Sequence, residues 1–369
     1  MEKLIFKKVI KDIALLFFFL CLTLGLIVWT LQAVNYLDFV TQDGHGLKTY
    51  FFYILYNFPK IIHRLIPFIF FISLFLILTN YEAKNELVIF WTHGISKIRF
   101  ANKIIIISII LYFIQIFIGS YISPFSQLKS RTFLKESNID YFSSLIKEGK
   151  FINAVKGLTI FIDKKDRYGN FKNIYIDDSS KETSKITYAN NGKILDVNNQ
   201  KIFKLFDGKV INKKRNRINV FEFDQIDFNL SNYSTKTILT PKLQETPTKH
   251  LLSCLLINFN PGNKKNIINC DISLKAEISQ EIFKRIFKPI YIPIIALVCS
   301  FLILLPKNNS GYKLQTGLTF LFGFLLLIIS ETTLRYSTIS NLTTSIYLIT
   351  PFILFIIIYF IFYKKAKNV

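Results

Sequence analysis

"NYEAKNELVIFWTHGISKIRF" runs from Asn80 to Phe100. It separates two apolar runs, Tyr56–Leu78 and Ile104–Ile122. Each is long enough to cross a bilayer, since about 20 mostly apolar residues span the hydrocarbon core. Within the stretch, Leu87, Phe90, Trp91, Gly94, Ile95 and Ile98 fall at i, i+3, i+4, i+7, i+8 and i+11. That spacing makes one apolar face of a helix over about 82–98. Glu82, Lys84, Glu86, His93 and Lys97 surround the face with polar groups. Gly94 interrupts the helix or lets another backbone approach closely. A helix of this kind lies on the inner leaflet or docks into a cleft of a partner protein.

Working outward, four more apolar runs qualify as spans: Ile13–Val34, Ile286–Leu305, Leu314–Leu334 and Leu342–Phe362. The 369-residue chain is 51% hydrophobic, with a mean hydropathy of +0.36, well above that of ordinary soluble proteins. Residues 125 to 285 are by contrast polar. The expected fold is therefore a six-helix membrane protein with a soluble domain inserted after the third span. Its expected parts are residues 1–124 with three spans, the exported domain 125–270, and residues 271–369 with a connecting helix and three more spans. The first run is too long for a cleaved signal peptide and lacks a small-residue cleavage site.

The net charge of +22 suggests nucleic acid at first sight, but its distribution excludes it. About 13 of the 46 Lys and Arg lie in Met1–Asp12, Tyr81–Lys103, Pro306–Lys313 and Lys364–Val369. In a six-span threading these four segments share one side, and the opposite short loops are poor in cations. The positive-inside rule then puts both termini in the cytoplasm and the polar domain outside.

Between Lys150 and Leu230 the pattern is β. "GLTIFID", the turn "RYGN" and "FKNIYID" make a hairpin, and "NNG" and "DG" look like further hairpin turns. Seven or eight such strands predict an antiparallel sandwich or jelly roll. Val155–Phe161 and Phe203–Leu205 alternate well enough to offer an open edge to a partner strand. Asp163, Asp166, Asp177 and Asp178 flank turns and need no catalytic role. No nucleophile elbow or Ser-His-Asp set occurs, so no catalytic residue is assigned. No Cys/His spacing suits a metal, and no cofactor is implied. Cys254 and Cys270 fall on the exported side, where a disulfide is chemically allowed.

Lys284, Arg285 and Lys288 lead into the fourth span. With Lys60, Arg64 and Arg335 they form a possible ring of cations at the outer membrane boundary. Such a ring anchors helices by snorkelling or binds the phosphates of lipid headgroups. Glu331, alone inside the fifth span, is placed to pair with Arg335 at i, i+4. The chain has no phosphate loop, so uphill transport needs energy from a partner.

These features resemble the LptF/LptG (YjgP/YjgQ) permease family of the lipopolysaccharide exporter, along essentially the whole chain. The best local marker is "ELVIFWTHGIS", Glu86 to Ser96, which is similar to the family's coupling segment E-L-x-x-x-x-x-x-G-[IV]-S. "GLTIFIDKKDRYGNFKNIYIDD" and "EIFKRIFKPIY" look more like the LptF branch. Trp91 and Thr92 are bulkier than the family's usual residues. The resemblance implies a permease subunit in the bacterial inner membrane, paired with a homologous six-span subunit. It implies a cytoplasmic ATPase dimer docked on the coupling helix, lipopolysaccharide as cargo, and a periplasmic bridge of jelly-roll proteins. Glu86 would then contact the ATPase, with Leu87, Phe90, Trp91 and Ile95 in its groove and Gly94 and Ser96 completing the segment. Lys60 and Arg64, with Lys284, Arg285, Lys288 and Arg335, would meet phosphates or core sugars. Two other readings fit the pattern: a permease for another lipid or lipoprotein, and a membrane sensor with a ligand-binding β domain. A sensor usually carries a sizeable cytoplasmic output domain, and Tyr81–Lys103 is too short for one.

Overall fold

A computed structural model describes residues 2–37, 47–133, 148–155, 158–166, 170–179, 184–197, 200–214, 217–229, 242–259 and 274–368. Among them, six helices are long and apolar enough to cross a membrane: Glu2–Asn35, Leu47–Ala83, Lys97–Phe133, Lys275–Ile303, Tyr312–Tyr336 and Asn341–Lys367. The chain is a multi-pass membrane protein. It divides into two units. One comprises Met1–Leu31, Asn57–Leu128 and Lys242–Val369, and the other Gln32–Tyr56 and Lys129–Pro241.

The first unit is helical. In chain order its helices are α1 (Glu2–Asn35), α2 (Leu47–Ala83), the short α3 (Glu86–Thr92) and α4, which starts at Lys97 and runs to Phe133. After the insert come α5 (Thr248–Phe259), α6 (Lys275–Ile286), α7 (Tyr291–Ser300), α8 (Tyr312–Tyr336) and α9 (Asn341–Asn368). The upper ends of α1, α2 and α4 belong to the second unit. Helix α7 is the hub: Tyr291, Ile292 and residues 294–300 are all buried. A helix apolar all round belongs in the middle of a bundle. It packs with Phe70, Phe71, Leu74 and Leu78 of α2, Ile104 of α4 and Leu326 of α8 in one continuous core. Helices α1, α8 and α9 leave much apolar surface exposed, as lipid-facing or subunit-facing helices do.

Helix α4 contains a π-helical turn at Ile118–Ile122. Such turns free backbone groups that a side chain must then satisfy, and they recur at functional sites. Helix α5 packs on α6 through Leu251, Cys254, Ile278 and Ile282. Cys254 is disulfide-bonded, whereas Cys21 and Cys299 are free thiols. Cys270 lies outside the described residues.

The second unit carries a six-stranded antiparallel sheet in the order β1-β2-β3-β4-β5-β6. The strands are β1 (Lys150–Val155), β2 (Leu158–Lys165), β3 (Asn170–Asp178), β4 (Ser184–Val197), β5 (Gln200–Lys214) and β6 (Arg217–Asn229). Every strand pairs with its neighbour in sequence, so the described strands form a meander. The crossovers of a jelly roll are not among them. The inner face is apolar, built on Ile160, Ile162, Ile174, Ile176, Phe203 and Leu205.

Six described strands replace the expected seven or eight because two apparent turns are not turns. Asn190-Asn191-Gly192 lies inside β4, and Asp207-Gly208 inside β5. Asp207 and Asn173 adopt left-handed φ of 52° and 51° in mid-strand. A Cβ on Gly208 would stand 2.2 Å from the carbonyl oxygen of Tyr188. The backbone freedom that makes Asp-Gly a hairpin turn here bends a long strand instead. The reversal expected at Arg167–Asn170 does join β2 to β3, with 167–169 outside the described residues. Phe203–Leu205 lies on β5, inside the sheet, so the edges among the described strands are β1 and β6 rather than the segment expected there.

Candidate functional site

Helix α2 holds Lys60, His63 and Arg64 within little more than one turn. Prolines 59 and 67 lie inside the same helix. A proline removes the hydrogen bond that its N–H would give to the carbonyl four residues back. For Pro67 that carbonyl belongs to His63, and Gln115 of α4 supplies the missing bond through Nε2 at 3.2 Å. The His63 ring presses on the π-turn, where a Cβ on Gly119 would lie 2.5 Å from it. Only glycine admits the ring there. On the other side of the π-turn, Thr248 Oγ1 donates to the Ser120 carbonyl at 2.9 Å.

Arg285 of α6 completes this assembly. It is 2% exposed. Its Nε donates to Glu281 at 3.0 Å, Nη1 to the Thr246 carbonyl and to Thr248 Oγ1, and Nη2 to the carbonyls of Leu243 and Gln244. A guanidinium has five N–H donors, and these five bonds use them all. A buried charge survives only with such complete pairing. Arg285, expected as a phosphate ligand, here clamps the segment 243–248 to α6. Its partner Glu281 stands at i, i+4, a signal legible in the sequence but outweighed there by the run of cations.

Lys60, Arg64, Lys284 and Arg285 line one pocket together with His63 and Glu281. The structure thus brings four of the six expected cations together. Lys284 is paired with Glu281 at 3.0 Å. Lys288 does not line the pocket and is ion-paired with Glu331. The expected Glu331–Arg335 pair is therefore replaced by one between α8 and the segment after α6, and Arg335 stays exposed. Lys60 and Arg64 have neither an ion pair nor a side-chain hydrogen bond among the described residues. Lys60 feels Arg64, Lys284 and Lys242 as like charges and Glu245 as an opposite one. His63, 8% exposed, keeps Nδ1 without a hydrogen-bond partner, as does Gln115 Oε1. The enclosed volume is about 20 Å³, room for one water. Arg64, which lines this pocket, is exposed.

The other end of α2 carries the segment 80–100. From Lys60 to Glu82 the helix rises about 33 Å at 1.5 Å per residue, close to the thickness of a hydrocarbon core. Asn85, at a left-handed φ of 60°, breaks α2 from α3. Gly94, at φ 79°, ends the turn after α3, and Ser96 caps α4 by accepting from the Arg99 N–H at 3.3 Å. The expected helix over 82–98 is thus a seven-residue helix between two left-handed breaks. Glu82 is buried and accepts from the Lys307 N–H at 2.7 Å.

The apolar face of α3 turns inward. Leu87, Phe90 and Ile95 are buried in the chain's own core, Phe90 against Tyr81 and Phe100 with ring centroids 5.7 and 6.0 Å apart. Trp91 packs edge-on against Phe100 and is only partly buried. These side chains, expected to fill a partner's groove, pack here within the chain itself. The outer surface of α3 consists of Val88, 46% exposed, and Ile89, 52% exposed, with exposed Thr92 and His93 beside them. Glu86 forms an ion pair with Lys8 of α1 at 2.6 Å. Tyr81 donates to Asp12 of α1 at 2.7 Å. No group of His, Cys, Asp and Glu among the described residues could hold a metal ion.

Residues 7–365 match the sequence profile described as "Lipopolysaccharide export system permease LptF/LptG". The chain belongs to the LptF/LptG permease family. A relative, "Uncharacterized protein RP871" of Rickettsia prowazekii (strain Madrid E), is 26% identical over 253 residues, covering 68% of this chain and 70% of its own. The family match takes in both spans-and-loop halves, the α3 segment, the cation pocket and the inserted sheet.

Proposed function

We propose that this chain is one permease subunit of an ABC transporter that extracts lipopolysaccharide from the bacterial inner membrane. In this reading it pairs with a homologous six-span subunit. A cytoplasmic ATPase dimer docks at the α3 end and drives it. The inserted sheet passes cargo to a periplasmic bridge of jelly-roll proteins. Family membership supports the transport role, and the quoted segments around Gly157 and Glu281 favour the LptF-like branch. The orientation is supported from both sides: basic segments cluster at the α3 end, and the disulfide at Cys254 belongs to an oxidising compartment.

One observation carries the cargo assignment. Lys60 and Arg64 stand one helical turn apart, both unpaired among the described residues, next to a ring nitrogen of a buried histidine that has no hydrogen-bond partner among them. Like charges at i, i+4 oppose each other by a few tenths of a kcal/mol. A phosphate across both removes that repulsion and gains charge-assisted hydrogen bonds. Arg285 acts from behind by fixing the wall, Lys284 shares Glu281 with it, and Lys288 is paired with Glu331. At the α3 end, the ATPase contact falls on Val88, Ile89 and the turn at Gly94, with Leu87 and Phe90 anchoring the helix beneath.

The test is photo-crosslinking of lipopolysaccharide to the pocket in membranes. Lys60→Ala with Arg64→Ala should cut crosslinking about tenfold per residue, at roughly 1.5 kcal/mol for a hydrogen bond to a charged group. Unchanged crosslinking by the correctly inserted double variant overturns the assignment.

A further inference from the structure

We propose that the outward face of the sheet binds a saccharide chain free of phosphate. A single cross-strand row runs over all six strands: Phe151, Phe161, Tyr175, Tyr188, Lys209 and Glu222, each directly opposite the next. The first four are aromatic. Ring centroids of Phe151 and Phe161 are 4.7 Å apart, and those of Tyr175 and Tyr188 are 5.0 Å apart. Phe151 is 67% and Tyr188 47% exposed. The apolar core lies on the other face, so this aromatic row is not core.

Two residues along strands β2 to β6 lies a second row: Asp163, Asn173, Asn190, Asp207 and Asp224. Asn173 Nδ2 donates to Asp163 Oδ2 at 3.0 Å. Asn173, Asn190, Asp207 and Asp224 drop out of the strand register, which resumes on either side of them. Phe161, Tyr175, Tyr188, Lys209 and Glu222 of the first row and Asn173, Asn190, Asp207 and Asp224 of the second line one trough of about 860 Å³, within the size range of ligand clefts.

Cross-strand aromatic pairs stabilise sheets by themselves. They do not account for a parallel row of amides and carboxylates beside them, nor for left-handed backbone at Asn173 and Asp207 that holds that row out of the ladder. A pyranose ring has both matching chemistries. Its C–H face stacks on an aromatic ring, and its hydroxyls need donors and acceptors of the kind Asn and Asp supply.

Charge selects among saccharides. Lys209 is taken by Glu222 at 2.9 Å, and their hydrogen bond raises the lysine and lowers the carboxylate from their ordinary pKa values. Asp207 and Asp224 are then uncompensated by any cation lining the trough. The trough therefore repels phosphate and favours neutral or amine-bearing sugars. It is opposite in character to the pocket at Lys60 and Arg64. The inference goes beyond the transport reading and does not require it, because the sugars of a glycolipid cargo and a free saccharide offer the same chemistry.

The experiment uses the full-length protein in nanodiscs, with titration calorimetry and saturation-transfer NMR. The probes are the β-1,4 tetramers of glucosamine and of N-acetylglucosamine, with glucosamine 6-phosphate as the anionic control. Both tetramers should bind, the glucosamine tetramer more tightly, and the phosphate ester should not. Tyr175→Ala with Tyr188→Ala should weaken both at least tenfold, while Asp207→Asn with Asp224→Asn should abolish only the preference for glucosamine. If the double tyrosine variant does not fold, the half-exposed Tyr188→Ala alone should give a threefold or greater loss, and Tyr188→Phe should retain binding. Absence of saccharide binding at millimolar concentration, or full affinity in the folded tyrosine variants, overturns the proposal. The Lys60→Ala, Arg64→Ala variant must bind the tetramers normally, so failure of the cargo assignment and failure of this one are read separately. A photo-crosslinker at Tyr188 in cells then distinguishes the sources: a lipid-linked adduct marks cargo, and a lipid-free one marks a separate glycan.

Discussion

The two ends of α2 present the same problem with opposite contents. At the Lys60 end a cluster of cations is gathered, and the fold engages three of those drawn from α6 onward: Arg285 and Lys284 with Glu281, Lys288 with Glu331. Lys60 and Arg64 remain in the pocket, and Arg335 lies exposed outside it. At the α3 end an apolar face is gathered, and the fold engages Leu87, Phe90 and Ile95 in its own core. Val88 and Ile89 remain. In both places the residues with the strongest sequence pattern hold the protein together, and the less conspicuous ones beside them face outward. A dense cluster of one residue type is a good structural resource, so a ligand or partner meets what the fold has left free.

This contrast breaks most sharply at Arg285. Arg285→Ala should destabilise the protein by about 3–5 kcal/mol, because it leaves Glu281 and four oxygen acceptors without their buried partner. Thermal unfolding in detergent checks this. A variant as stable as the parent would return Arg285 to the group of ligand-binding cations. Lys60→Ala with Arg64→Ala, by contrast, should leave stability near that of the parent and lose cargo.

At the α3 end the comparison is sharpened by a pair of variants. Leu87→Ala should cost about 2–5 kcal/mol as a buried truncation. Ile89→Asp should change stability by less than about 0.5 kcal/mol, as an exposed substitution does. It should nevertheless lose copurification with the proposed ATPase. If Ile89→Asp keeps the ATPase and only core variants lose it, the docking surface is not the outer side of α3. The smallest effect is expected at Lys8→Ala. Its ion pair with Glu86 is half in solvent and worth about 0–1 kcal/mol, so thermal unfolding should barely move.

The sheet gives the same lesson in backbone terms. "NNG" and "DG" read as hairpin turns because Asn, Asp and Gly tolerate left-handed φ. The tolerance is used here, but not for a reversal. In β5 it serves a bend at Asp207 with Gly208 pressed on the Tyr188 carbonyl, and the strand continues. No local pattern separates a bend from a reversal, since only the pairing of later residues decides which follows. The π-turn in α4 leaves no signal in the local sequence. Glu82, taken for surface, is buried because the loop after α7 returns to it through Lys307.

Sequence alone determined the six spans, the polar β insert and the family. Membrane thickness demands long apolar runs, and side-chain alternation and composition follow directly from what each segment must face. Only the tertiary structure decided which cations and which apolar residues are free. That choice depends on partners tens to hundreds of residues away, such as Arg285 with Leu243–Thr248 and Lys307 with Glu82, and buried polar groups take whichever partners packing brings within hydrogen-bond reach.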